Sequence, residues 1–171
     1  MPLTIAHPAA VMPFRHSGLR LSALVIGSLS PDFEYFLHLA PRSEFSHTVL
    51  GLFAFCLPAG LLALWIFQRI WKPVLVALLD KEHHHRIKPF AFGPFPRFAM
   101  LCLAILIGAG IHIVWDAFTH PYGWAVQHMD ALKQAGWLDL PLYVILHHAS
   151  TLLGLAVLFY VAFHHRHWTW P

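Results

Sequence analysis

Apolar positions in this chain fall in long blocks rather than in a repeating face. Residues 48–68, 98–118 and 142–163 each run for more than 20 residues with almost no charge. Each is long enough to cross the roughly 30 Å hydrocarbon core of a bilayer, which takes about 17–25 residues of helix. They predict three membrane-spanning helices, the first kinked at Pro58 and Gly60. A fourth apolar stretch, residues 19–30, is too short to span alone. It predicts a re-entrant or interfacial helix or, joined to residues 31–40, one broken span. Residues 30–41 read as a helix with Ser30 as N-cap, Pro31 at its first position and Pro41 as its stop. Ser46 is the candidate cap of the next helix. Pro2, Pro8 and Pro13 keep residues 1–17 from forming one long helix. The expected fold is all-α, a multi-span membrane helix bundle forming a single domain over residues 1–171.

The polar segments give this bundle a direction. Residues 69–97 carry Arg69, Lys72, Lys81, Arg86, Lys88 and Arg97 against only Asp80 and Glu82. The positive-inside rule assigns this basic loop to the cytoplasm, with its short apolar piece, residues 73–79, lying on the membrane surface. Spans that alternate in direction then bring His47, the stretch from His112 to His120, and the pair His147 and His148 to the opposite, extracytoplasmic face. If His7 also reaches that level, the first apolar segment is re-entrant.

Composition agrees with the blocks. Hydrophobic residues make up 58% of the 171 residues and charged residues 11%, against about 25% charged in soluble domains. The net charge of +3 comes from local clusters, so no nucleic acid partner is expected; the expected partner is membrane lipid. Cys56 and Cys102 lie inside apolar runs and read as small buried hydrophobes. The N-terminal residues lack the basic start and continuous apolar stretch of a cleavable signal peptide. The His83–His85 tract and the group His164, His165 and His167 sit beside basic residues and read as solvated. P-loop, dinucleotide, nucleophile-elbow, CxxC and HExxH patterns are all missing from the sequence.

The chemistry concentrates in residues 98–120. Asp116 is the only acidic residue in the three long runs, and a carboxylate at the centre of a membrane helix costs roughly 2.5–3.5 kcal/mol. His112 and Asp116 stand four apart and share one helix face, a pair able to hold a divalent metal, with zinc the expected ion. A His–Asp hydrogen bond that locks two helices is the other reading. On a continuous helix His120 would lie about 12 Å further along and about 80° around from His112, so it is expected behind the ligands, or else Asp116 bridges two ions. Asp32, His47 and His7 are further candidate ligands, and Asp32 and Asp116 are the candidate catalytic acids. Asp32 also suits the first turn of a helix for the helix dipole alone. His147 and His148 point about 100° apart, so His147 is placed in the site and His148 behind it. Glu34 and Glu44 are possible supporting acids without a spacing argument.

The opening MPLTIAHPAAVMPF, the stretch LSALVIGSLSPDFEYFL, the FSHT tetrapeptide and GAGIHIVWDAFTHPYGW resemble the bacterial membrane family known as domain of unknown function 4184. That resemblance implies a small multi-span protein of the bacterial inner membrane and brings no activity. The order of polar residues is more distantly similar to membrane-bound metal-dependent hydrolases and to the zinc phospholipase C and single-strand nuclease pattern. That pattern has an early His, an Asp followed about fourteen residues on by His, then HxxxD, then a late HxxxE. His7, Asp32, His47, and His112 with Asp116 match in order. Thr151 and Leu152 stand where the final acid would follow His147 or His148, so the similarity implies a reduced site of one or two metals. The leading expectation is a membrane-embedded metal-dependent hydrolase acting on a lipid or phosphate ester at the extracytoplasmic interface. The alternative is a non-catalytic membrane protein with a metal-binding or structural His/Asp cluster. The apolar inner halves of the spans speak against a transport path.

Overall fold

A computed structural model describes residues 3–40, 44–79, 92–136 and 139–164. The described residues are helical, with only an isolated bridge between Ala135 and Pro141 outside the helices. Short turns at Thr4–Ala6, Pro8–Val11 and Met12–His16 lead into α1, Leu21–Leu29. The next helix, α2, runs Val49–Leu75; α3 is Phe95–Thr119 and α4 is Leu142–His164. These last three are long and apolar enough to cross a membrane. They carry exposed Leu50, Phe53, Leu62, Trp65, Leu103, Val114, Leu152 and Phe159, an apolar surface that water would not tolerate on this scale. The chain has the make-up of a membrane helix bundle, as its sequence implies.

The short apolar stretch becomes the centre of the bundle. In α1, Ala23, Leu24, Ile26, Gly27 and Ser28 are buried, as expected of a helix that is apolar on every side. It crosses α3 at two glycines. A side chain on Gly27 would run into the backbone of Ile105, and one on Gly108 into the backbone of Leu24 and Ser28. Hydrophobicity alone drives little association between helices in lipid, so close backbone approach at small residues supplies the contact. Leu64 from α2, Leu101 and Ile105 from α3, and Val11 and Met12 from the N-terminal turns complete the core around it.

His7 and Asp32, on either side of α1, both end near His112 and Asp116. The chain between them therefore enters the bundle and returns to its starting level, which is the re-entrant geometry. Gln68 Nε2 donates to Ser22 Oγ at 2.9 Å and fixes the far end of this hairpin.

Three local expectations are corrected. Ser30 does not cap a new helix; its hydroxyl donates back to the Gly27 carbonyl, and Ser30–Phe33 forms a tight 3₁₀ turn before the helix Glu34–His38. That helix ends on Leu39 in the left-handed region, φ 46°; Pro41, the expected stop, lies outside the described residues. The cap of α2 is Thr48, whose hydroxyl accepts from Gly51 N–H at 2.9 Å, while Ser46 is buried for another purpose. Finally, residues 73–79 are no separate surface piece, because Lys72–Leu79 continues the preceding helix.

The helix survives its prolines by widening. Wide π-helical turns at Leu52–Cys56 and Phe67–Trp71 each end two residues before a proline, Pro58 and Pro73. A proline ring clashes with the carbonyl four residues back, and a π turn there moves that carbonyl aside.

Candidate metal centre

Three segments meet at one end of the bundle. The 3₁₀ turn after α1 supplies Asp32, the loop before α2 supplies His47, and α3 supplies His112 and Asp116. One donor atom from each of these four residues lies within 4.8 Å of the others. His112 Nε2 is 3.2 Å from Asp116 Oδ2 and 3.6 Å from Asp32 Oδ1, and His47 Nε2 is 3.4 Å from Asp116 Oδ2. His7 joins from the N-terminal turns, its Nε2 3.6 Å from Asp116 Oδ1, its ring stacked on His112 with centroids 3.8 Å apart.

Three of these four separations, at 3.4–3.6 Å, are too long for good hydrogen bonds, which fall near 2.7–3.2 Å, and the fourth, His112 to Asp116 at 3.2 Å, is at the upper edge. Asp32 Oδ1, His112 Nε2 and Asp116 Oδ1 are buried with no hydrogen-bond partner among the described residues. Donors bound to one ion at 2.0–2.2 Å in a tetrahedron stand about 3.3–3.6 Å apart. Three of the six pairs, at 3.2–3.6 Å, have the spacing of ligands around a small cation, within a set that lies inside 4.8 Å. Two carboxylates and two neutral imidazoles also balance a divalent charge.

His112 makes the argument specific. Its Nδ1 lies 2.7 Å from the carbonyl oxygen of Ser28. A carbonyl only accepts, so Nδ1 carries the proton, and in a neutral ring Nε2 then presents a lone pair. Between two carboxylates a bare lone pair is repelled, so the ring shares a cation with them, which either a second proton on Nε2 or a metal ion supplies. A second partner that holds the ring and its tautomer is the usual support of a metal-binding histidine.

The surroundings keep the donors charged and in place. Burial would raise the Asp32 carboxyl, but the neighbouring His112 and the Thr4 hydroxyl hold it below the ordinary carboxylate value; Thr4 Oγ1 donates to Asp32 Oδ2. Burial, aided by the neighbouring His112, lowers His7 to about 4, leaving it neutral and available at pH 7. Glu34 braces the His47 loop. Its Oε2 accepts the Ser46 N–H at 2.8 Å, and its Oε1 faces His38 at 3.2 Å. Burial would raise this acid too, but those hydrogen bonds, Ser46 foremost, hold it low. The Cys56 thiol donates to the Ser46 carbonyl, so residue 46 is gripped from both sides and His47 is aimed by its neighbour.

Thr4 and the Ser28 carbonyl had no signal in the sequence, since neither lies in a motif and a carbonyl belongs to every residue. Glu34 was visible as an acid without a partner. Replacing Glu34 with Ala is expected to leave a folded protein that binds zinc about 10–100-fold more weakly, the usual cost of losing a group behind a ligand. Glu34→Gln should lose less, because one amide oxygen can still accept from Ser46. Competition with a chromogenic chelator measures both; unchanged affinity in the alanine variant would remove Glu34 from the site.

The remaining candidates lie just outside the four. His120 is the C-cap of α3 with extended backbone, φ −114° and ψ 144°. It has left the helix, so helical spacing does not apply, and its Nδ1 returns to 3.4 Å from Asp116 Oδ1. His147 is buried, with Nδ1 3.2 Å from the Thr119 carbonyl and its ring edge-on to His120. His148 is exposed and packs on His147; Glu44 is exposed as well. His83–His85, His165 and His167 lie outside the described residues. The cluster opens on the side of His47 and His120, whose side chains are 22% and 23% exposed.

No curated protein and no solved structure matches the chain. Residues 1–169 match the family described as Domain of unknown function (DUF4184), a match that takes in the N-terminal turns with His7 and every element that builds the cluster. The chain therefore belongs to the domain of unknown function 4184 family.

Proposed function

We propose that this protein is a metal-dependent hydrolase working at the surface of a bacterial inner membrane, on its extracytoplasmic side, with a lipid or phosphate ester as substrate. The observation that supports it most is the convergence of buried donor atoms without hydrogen bonds, Asp32 Oδ1, His112 Nε2 and Asp116 Oδ1, beside a rim that is partly open at His47 and His120. A divalent ion held there supplies Lewis acidity and lowers the pKa of a water toward about 7.

The residues then divide the work. Asp32, His47, His112 and Asp116 hold the ion. Asp32 Oδ2 is committed to Thr4, which leaves Asp116 Oδ1 to orient an attacking water. His120, 3.4 Å from that oxygen and partly exposed, is placed to exchange protons with solvent. Arg69, Lys72 and Arg97, at the other end of the bundle, favour the extracytoplasmic assignment. Zinc suits two carboxylates and two imidazoles in a tetrahedron.

The test is elemental analysis of protein purified without added chelator, beside a panel of phospholipids and soluble phosphate esters. About one equivalent of metal with chelator-sensitive turnover is expected. Less than about a tenth of an equivalent would sink this reading, since structural or catalytic zinc binds far too tightly to be lost on careful preparation. Metal without turnover would favour the binding role instead.

A further inference from the structure

A second feature touches the cluster from the lipid side. Between the N-terminal turns and α4 lies a groove of about 230 Å³. Small residues, Ala6, Ala9 and Gly154, are part of its lining, and a methyl added at Gly154 would stand 3.0 Å from the Ala6 carbonyl oxygen. His7 and Val157 both line it. Two hydroxyls border it, and neither has a proton left to donate to a ligand. Ser150 Oγ and Thr151 Oγ1 both donate to the His147 carbonyl, at 3.0 and 2.9 Å. Trp115 Nε1 donates in turn to Ser150 Oγ. The lining therefore presents carbon, except at His7.

We propose that this groove holds one hydrocarbon chain of a membrane lipid, with the lipid's polar end at His7. Three observations select that occupant. The groove lies along α4 between Ser150 and Val157, roughly 12 to 22 Å from Leu142 at 1.5 Å per residue, inside the apolar span and not at its polar end. Its rim includes Leu153, 66% exposed on the face a bilayer covers. Its size is below the roughly 300–1,000 Å³ of pockets that enclose a whole ligand, and suits a single chain. Continuity with the cluster gives it a purpose. His7 lines the groove and also lies 3.6 Å from Asp116 Oδ1, so a chain in the groove delivers its head group to the metal centre. This rests on the hydrolase reading for its purpose, but not for its occupancy.

The experiment uses the full chain in vesicles of phosphatidylethanolamine and phosphatidylglycerol containing a phospholipid with a photoreactive diazirine in mid-chain. After illumination the labelled peptides are mapped. Labelling concentrated on residues 6–10 and 150–157, several-fold above the lipid-facing Phe159 and Phe163, is expected. Val157→Trp puts a bulky ring into the lining about two helical turns beyond Ser150 and should cut groove labelling about fivefold or more, the effect of overpacking by 1 kcal/mol or more. Even labelling along α4 in the wild type would overturn the proposal, and that result does not depend on whether the variant folds. Protection of the groove by a second copy of the chain, seen as protein–protein cross-links through 150–157, would overturn it too. Metal removal leaves the labelling unchanged if the groove acts as described. Groove labelling without any turnover would sink the hydrolase reading alone; turnover of soluble phosphate esters without groove labelling would sink the groove alone.

Discussion

Asp116→Asn is expected to leave the protein folded in detergent but with less than about a tenth of the metal carried by wild type, because losing even a group behind a ligand costs 10–100-fold in affinity and a direct ligand costs more. Asp116 is the residue on which the cluster turns. Its Oδ2 faces His112 and His47, and its Oδ1 faces His7 and His120. Asparagine keeps the shape but removes the charge and puts an amide N–H₂ where an acceptor is needed. His112→Ala removes the partner on the same helix face and should lose metal equally. The rival explanation, a His–Asp clasp that holds helices together, predicts a different pair of results. Wild type would then carry no metal, and both variants would mainly lower the unfolding temperature. Measuring metal content and thermal unfolding on the same preparations separates the two, and a metal-loaded Asp116→Asn protein would end the assignment of Asp116 as a ligand.

The second large effect belongs to the crossing of α1 and α3. Gly108→Ala is expected to destabilise the protein by about 3 kcal/mol or more, at or above the top of the usual range for overpacking. The added methyl meets the backbone of Leu24 and Ser28, and backbone cannot rotate out of the way as a side chain can. Gly27→Ala, facing the Ile105 backbone, should behave alike. Because Ser28 holds His112, both variants should also lose metal. Gly110→Ala is the control. Nothing lies within 4 Å of a methyl placed there, so it should be neutral or stabilise by up to about 1 kcal/mol through helix propensity. Unfolding in detergent followed by circular dichroism ranks the three. A Gly108→Ala protein as stable as Gly110→Ala would show that α1 is not docked as described.

How far the sequence led depended on the kind of signal. The three spans were legible because a bilayer demands length and hydrophobicity, and both are counted directly; α3 runs a few residues past its expected start. His112 with Asp116 was legible because a helix fixes what stands four residues apart. Asp32 and His47 could be nominated by level in the membrane, but their meeting with α3 depends on two glycines that read simply as apolar residues. His120 was expected behind the ligands by counting 3.6 residues per turn, a count that does not apply to a residue that has left the helix. The turns at Leu52–Cys56 and Phe67–Trp71 were missed for a related reason, since a proline announces disturbance but not whether the helix kinks or widens. Ser46 resembled a cap by residue type, whereas its role comes from Glu34, twelve residues away, which no local rule connects.

The re-entrant hairpin also sets an order of assembly. Asp32 and His47 leave the ribosome well before His112 and Asp116 exist. Until α3 arrives, α1 has no partner for its glycine face and is too short, at nine residues, to cross the bilayer unaided. The early half of the chain must therefore wait, shallow and incomplete, for the later half to reach the membrane. Metal capture there would report that α3 has reached its place, because no earlier intermediate owns all four donors.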